Sequence, residues 1–197
     1  MDWYEYEVWC LEQTVRENPP PAGVVVFYGS SSIRLWSTLG GDFSDLPVIN
    51  LGFGGSTLEA CAHFFDRLVP QCRPRSIVFY AGENDLGDGR SPEQVFASFR
   101  ALRKKVEATA GLRLLFVSIK PSPARWHLRD QIIQSNELVR AELGTWPDAD
   151  YADVFHPMLG PDGEPRPELF EPDMLHMNAA GYRLWTEVLT ADREKFT

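Results

Sequence analysis

Apolar residues along the chain fall into two rhythms: short unbroken runs, and longer stretches spaced like one face of a helix. Val24–Tyr28 (VVVFY), bounded by Gly23 and Gly29, is a continuous β-branched and aromatic run, the pattern of a strand buried on both faces. Runs at Val48–Leu51, Ser76–Tyr80, Leu112–Ile119 and Asp150–Phe155 predict four more strands. Helical spacing predicts helices over Leu58–Leu68 and Leu128–Leu143, and from Asn178 to Thr190. Another starts at Ser91-Pro92-Glu93, with a Ser cap and Pro in the first position. Ahead of the first strand, Trp3, Tyr6, Trp9 and Cys10 recur at helical spacing over residues 2–17, and Asn18 with Pro19-Pro20-Pro21 stops that helix.

Strands that alternate with helices, with few hairpin signals between them, predict an α/β fold. Its sheet is parallel, joined by right-handed crossovers and covered by helices on both faces. No tandem repeat or polar linker divides the chain. Residues 1–197 therefore read as one domain, with the helix and Pro-rich connection of residues 1–21 packed on it. In such sheets ligands bind beyond the carboxyl ends of the strands, so chemistry is sought there.

Composition narrows the function classes. With 197 residues, 44% apolar and 24% charged, the chain resembles an ordinary globular domain and not a disordered or fibrous one. Its 19 basic and 28 acidic residues give a net charge of −9, and the densest basic cluster is Arg103-Lys104-Lys105. Nucleic acid and anionic membrane surfaces are unexpected partners for such a chain. No basic start followed by an apolar stretch marks a secretory signal, and no run approaches a membrane span. Cys10, Cys61 and Cys72 are odd in number and lack ligand spacing, so they read as reduced thiols. A cytoplasmic protein is expected; the oligomeric state is left open.

Four segments follow the strands: Gly29-Ser30-Ser31-Ser32-Ile33, Asn50 to Thr57 with its Gly52, Gly54 and Gly55, Ala81-Gly82-Glu83-Asn84-Asp85, and Asp173-Met174-Leu175-His176. A hydroxyl nucleophile needs a base in contact, a group to orient that base, and donors for an oxyanion. Serines at a strand end commonly cap a helix; three in a row exceed that need, though the sequence alone does not choose among them. The glycine turn lacks G-x-G-x-x-G, and close backbone approach suits a phosphate cradle and an oxyanion donor equally well. Asn84 is either a turn residue or a side-chain oxyanion donor.

The pattern D-x-x-H occurs twice, at Asp153–His156 and Asp173–His176. Residues three apart in an extended strand point to opposite faces, so the first pair is not expected to meet. The second lies in a Pro-rich loop of the length usually tied to function. His176 is therefore the candidate base, with His63 and His127 structural.

Together these residues resemble the SGNH/GDSL hydrolase family from Val24 to about Leu189. Gly29 to Ile33 is similar to the family's G-D-S-[LI] block, with Ser30 in place of Asp and Ser32 beside it in place of Leu or Ile followed by Ile33. The resemblance implies Ser31 as nucleophile, the Ser31 and Gly55 N–H groups and the Asn84 amide as the oxyanion hole, and Asp173 and His176 completing a triad. It also implies a three-layer α/β/α, flavodoxin-like fold with five parallel strands, and ester hydrolysis without metal or organic cofactor. No lid insertion is present, so short-chain acyl esters, small molecules with a small acyl group, are the expected substrates. Lys120, Arg125 and Trp126 follow the fourth strand. They read either as a Pro-rigidified surface loop or as substrate-binding residues for an anionic leaving group, as in a lysophospholipase or thioesterase. The rival class is a non-catalytic flavodoxin-like module that binds phosphate or nucleotide.

Overall fold

The computed structural model describes residues 1–197. Five parallel strands, β1 (Val25–Gly29), β2 (Val48–Gly52), β3 (Ser76–Tyr80), β4 (Arg113–Val117) and β5 (Ala149–Ala152), form one sheet in the order β2-β1-β3-β4-β5. β1 and β3 are buried at every position, as their unbroken apolar runs require. Helices α1 (Asp2–Glu17), α2 (Ser31–Arg34), α3 (Leu39–Asp42), α4 (Leu58–Leu68), α5 (Glu83–Gly87), α6 (Pro92–Glu107), α7 (Arg129–Leu143) and α8 (Ala179–Ala191) complete the chain.

Alternate residues of the central strands feed two cores. Val26, Tyr28, Ile77 and Phe79 face one in which α4, α6 and α7 bury Phe65, Phe99 and Val139. Val25, Phe27, Val78 and Tyr80 face the other, with Trp36, Trp185 and Leu189. Period-two alternation buried on both sides makes the sheet the middle of three layers.

Most predicted boundaries agree within one or two residues. α6 starts on a complete capping box between Ser91 and Gln94. α7 is preceded by a tighter 3₁₀ segment at Pro123–Leu128, and β5 stops at Ala152, three residues before its predicted end. The long loop after β5 is anchored, because Met158 and Leu169 are buried and Phe170 bridges to Met177. No helix is long and apolar enough to cross a membrane.

The strand order places β1 between β2 and β3, so successive connections leave it in opposite directions. That is the switch point where such sheets open a crevice. Gly29 stands level with Gly52 on one side and Tyr80 on the other, so three loops leave the sheet from one level. Gly29 has φ +146, and a Cβ there would lie 1.9 Å from the Tyr80 carbonyl oxygen. Only glycine lets the chain turn there into α2.

Candidate active site

α2 begins where β1 ends, and the three serines part company at once. Ser30 and Ser32 are buried, whereas Ser31 is half-exposed at the first helical position. Its N–H is among those that a helix start leaves free of intrahelical partners. Its Oγ lies 3.2 Å from His176 Nε2, and His176 Nδ1 lies 2.6 Å from Asp173 Oδ2. The other Asp173 oxygen accepts the N–H groups of Leu175 and His176, both at 2.9 Å. This Asx-type turn brings side chains three residues apart together. Hydrogen bonding to His176 holds the Asp173 carboxyl down, to about 2 from an ordinary 3.8. Asp173 is thus a carboxylate wherever the imidazole titrates.

The nucleophile helix is fastened from beside and above. Asn50 Nδ2 donates to the Ile33 carbonyl at 2.6 Å while its Oδ1 accepts from Gly52 N–H at 2.9 Å. The Tyr182 hydroxyl donates to the Ser32 carbonyl at 3.1 Å. Asn50 was legible in sequence only as the start of a block; its tie to α2 is tertiary.

Gly55 has φ +65, and its N–H donates to no group of the protein. Asn84, half-buried in α5, donates from Nδ2 to the Ser56 carbonyl at 3.0 Å, which draws α5 against the glycine turn. One amide hydrogen remains for another acceptor. Asp85 is fully buried and accepts the Leu58 N–H at 2.8 Å, locking the start of α4 to the same place.

Two expectations require correction. Asp153 and His156 do meet: Asp153 Oδ2 lies 2.6 Å from His156 Nδ1, and its Oδ1 accepts from the Phe155 and His156 N–H groups. The strand has already ended at Ala152, so the alternation of an extended chain does not apply. The two D-x-x-H turns thus share their internal bonding and differ in what the imidazole faces. His156 is 74% exposed and contacts no serine, whereas His176 meets Ser31.

Of the residues after β4, Lys120 departs from both expected readings, surface loop and substrate contact. Lys120 is 1% exposed and forms an ion pair with Glu83, which also accepts from the Ser122 hydroxyl. Burial pulls the Lys120 ammonium down, but Glu83 opposes that; the carboxyl of Glu83 ends below its usual value because Lys120 and Ser122 outweigh its own burial. Arg125 donates from Nη1 to Asn84 Oδ1 at 2.9 Å, so it engages the site's amide. Trp126 lies against Phe155 and under the Arg129 guanidinium. His63 and His127 are both exposed, His63 packing edge-on against Phe64.

Two cavities include residues of the site, one at His176 and one at the glycine turn. One of about 390 Å³ is lined by Leu35, Glu171, His176 and Tyr182. The other, of about 470 Å³, is lined by Trp3, Tyr6, Arg34, Gly54 and Gly55. The largest cavity, about 640 Å³, lies along β5 beside Tyr151 and Lys195 and includes none of these groups. No three His, Cys, Asp or Glu side chains converge as a metal centre would need.

Known proteins resemble the chain in sequence and in fold. Human platelet-activating factor acetylhydrolase IB subunit alpha1 is 30% identical over 171 residues, spanning 80% of this chain and 70% of that protein. A GDSL-like lipase from Bacteroides thetaiotaomicron superposes with a TM-score of 0.78 at 21% identity, covering 98% of this chain and 97% of its own. A lipase/acylhydrolase from Enterococcus faecalis gives 0.71 at 17%, over 86% and 94%. Residues 22–184 match the model of the GDSL-like lipase/acylhydrolase family. That membership sets aside the non-catalytic phosphate-binding reading, and the chain belongs to the GDSL-like lipase/acylhydrolase family of ester hydrolases.

Proposed function

We propose that the protein hydrolyses short-chain carboxylic esters through an acyl-enzyme, with Ser31 as nucleophile, His176 as base and Asp173 as orienting carboxylate. The observation that carries this reading is the continuous contact from Ser31 Oγ to His176 Nε2 to Asp173. His176 takes the Ser31 proton as the hydroxyl attacks the ester carbonyl, and Asp173 stabilises the imidazolium. The N–H groups of Ser31 and Gly55 and the free Asn84 amide hydrogen receive the oxyanion. The tetrahedral intermediate collapses, His176 protonates the departing alcohol, and water activated by His176 then releases the acid.

The absence of a long apolar insertion between the strands and helices of the fold supports a small acyl group. So does the acetylhydrolase name carried by the human relative. A lysophospholipase or thioesterase reading rested on free basic groups after β4; Lys120 is buried against Glu83, which leaves Arg125, bonded to Asn84 through Nη1, as the one basic group of that loop beside the site.

The test is steady-state turnover of p-nitrophenyl acetate by wild type, Ser31→Ala, His176→Ala and His156→Ala, followed by esters of increasing acyl length. Ser31→Ala and His176→Ala are expected to lose at least ~10³-fold in kcat, and His156→Ala to keep wild-type turnover. Full activity in Ser31→Ala would sink the assignment. A rate that rises with acyl length would sink the short-chain preference.

A further inference from the structure

The N-terminal helix α1 lies outside the family-matched residues 22–184, yet it reaches the glycine turn after β2. Glu7 Oε2 accepts the Gly54 N–H at 2.8 Å. The Tyr4 hydroxyl donates to the Gly55 carbonyl at 3.1 Å. These two bonds hold the peptide planes before and after the Gly54–Gly55 peptide, whose own N–H is left without a partner. We propose that α1 is a working part of the active site, in which Glu7 and Tyr4 are positioning residues that aim the Gly55 N–H at the oxyanion. The proposal rests on the ester-hydrolysis reading above.

The physical need is specific to this turn. Two adjacent glycines have the widest choice of backbone angles of any residue pair, and Gly55 sits at positive φ with no Cβ contact to restrain it. A donor free to swing stabilises an oxyanion poorly, because preorganisation is what gives such donors their effect. A carboxylate accepting a backbone N–H makes a charge-assisted bond, stronger than a neutral one. Glu7 is itself fixed: its other oxygen pairs with Arg34 Nε, on the helix that begins at Ser31. Arg34 also neutralises a carboxylate that would otherwise oppose negative charge developing nearby.

α1 has a firm base from which to do this. Val8 and Val15 are buried, and Arg67 of α4 pairs with both Glu5 and Glu12 at 2.8 Å. The Tyr4 ring stands edge-on to Phe53 at 5.5 Å and to Phe64 at 6.3 Å. One helix therefore spans the nucleophile helix, the glycine turn and the body of the domain.

The experiment uses the full-length chain, with p-nitrophenyl acetate kinetics and thermal unfolding for Tyr4→Phe, Glu7→Ala, Glu7→Gln, Asn84→Ala and Ser31→Ala. Glu7→Ala is expected to lower kcat ~10-fold with KM within ~2-fold, because a donor misplaced by about 1 Å loses transition-state and not ground-state binding. Glu7→Gln has one acceptor oxygen where Glu7 uses two, for the Gly54 N–H and for Arg34, so it should recover only part of that loss; Tyr4→Phe should lose ~3-fold, about one hydrogen bond's worth. Wild-type kcat in Glu7→Ala and Tyr4→Phe overturns the proposal. Should Glu7→Ala unfold at the assay temperature, Tyr4→Phe decides, since its ring keeps the contacts to Phe53 and Phe64. If Ser31→Ala stays active, the hydrolysis reading itself fails. If Ser31→Ala is dead and Asn84→Ala impaired while the α1 variants are normal, only the role of α1 fails.

Discussion

Asn84 is held at both ends of its amide, with Arg125 donating to Oδ1 and Nδ2 donating to Ser56. An amide flip would set Arg125 against an NH₂ group, so the guanidinium fixes which end faces the site. Asn84→Ala should therefore cut kcat by ~10²–10³, the usual effect of losing an oxyanion donor, with a loss of stability of only ~1–2 kcal/mol for the Ser56 and Arg125 bonds. Arg125→Ala should cost less, since the Ser56 contact still orients the amide; p-nitrophenyl acetate kinetics beside a melting curve separate the two. Asp173 carries a pH prediction of its own. Its folded value of about 2 lies below the ordinary 3.8, so its charge is complete above the ordinary value and is lost only as pH falls through about 2. From about pH 4 to about pH 8, Asp173 should thus contribute no ionisation to kcat/KM. A slope of two in that range would place the Asp173 protonation there and contradict the geometry. Ser31, Gly55 and Asn84 were readable from sequence because each sits shortly after a strand, and Asp173 and His176 because they close the Pro-rich loop before α8. What Lys120 and Arg125 do was not readable, because a basic side chain near a site looks the same whether it faces ligand or an internal acceptor.

At the scale of elements, the site depends on how tightly loops are tied where the strands end. Lys120, in the loop after β4, and Glu83, the first residue of α5, form a buried pair that joins two of these loops beneath Asn84. Lys120→Met strands the Glu83 carboxylate and should destabilise the fold by ~3–5 kcal/mol, measured by urea denaturation. Helix starts are a milder case. Ser91→Ala removes the cap of α6 and should cost ~1 kcal/mol without touching activity. Periodicity and capping chemistry located α4, α6 and α8 well, since those signals are local. The end of β5 was misplaced because apolar Val154 and Phe155 read as strand; both are buried, but in a turn where Ser118 Oγ accepts their N–H groups. That short strand is also why Asp153 and His156 pair against expectation.

Taken whole, the molecule has two cores on opposite faces of one sheet, and α1 joins the first of them through Val8 and Val15. We propose that residues 1–197 unfold as one unit. Tryptophan fluorescence, which includes Trp3 and Trp9 on α1, and far-UV circular dichroism should give coincident urea transitions, whereas an early fluorescence phase would separate α1 from the rest. Thiol chemistry samples the same packing. Cys61 and Cys72 are buried, and burial raises both thiols, Cys72 to about 11. A native-state thiol reagent should therefore modify Cys10 alone, and all three cysteines only after denaturation. The sequence by itself determined the α/β class, the order of the five strands and the long helices, and the four chemical segments, three near strand ends and one in the loop beyond β5, because apolar runs, caps and short motifs are properties of neighbouring residues. Ser31 and His176 were singled out by resemblance and loop position, but tertiary structure alone decided that they meet, that both D-x-x-H turns close on themselves, and that a helix 51 residues away in sequence reaches the Gly55 turn. The first and last of those outcomes depend on distances between segments remote along the chain, and no local pattern carries that information.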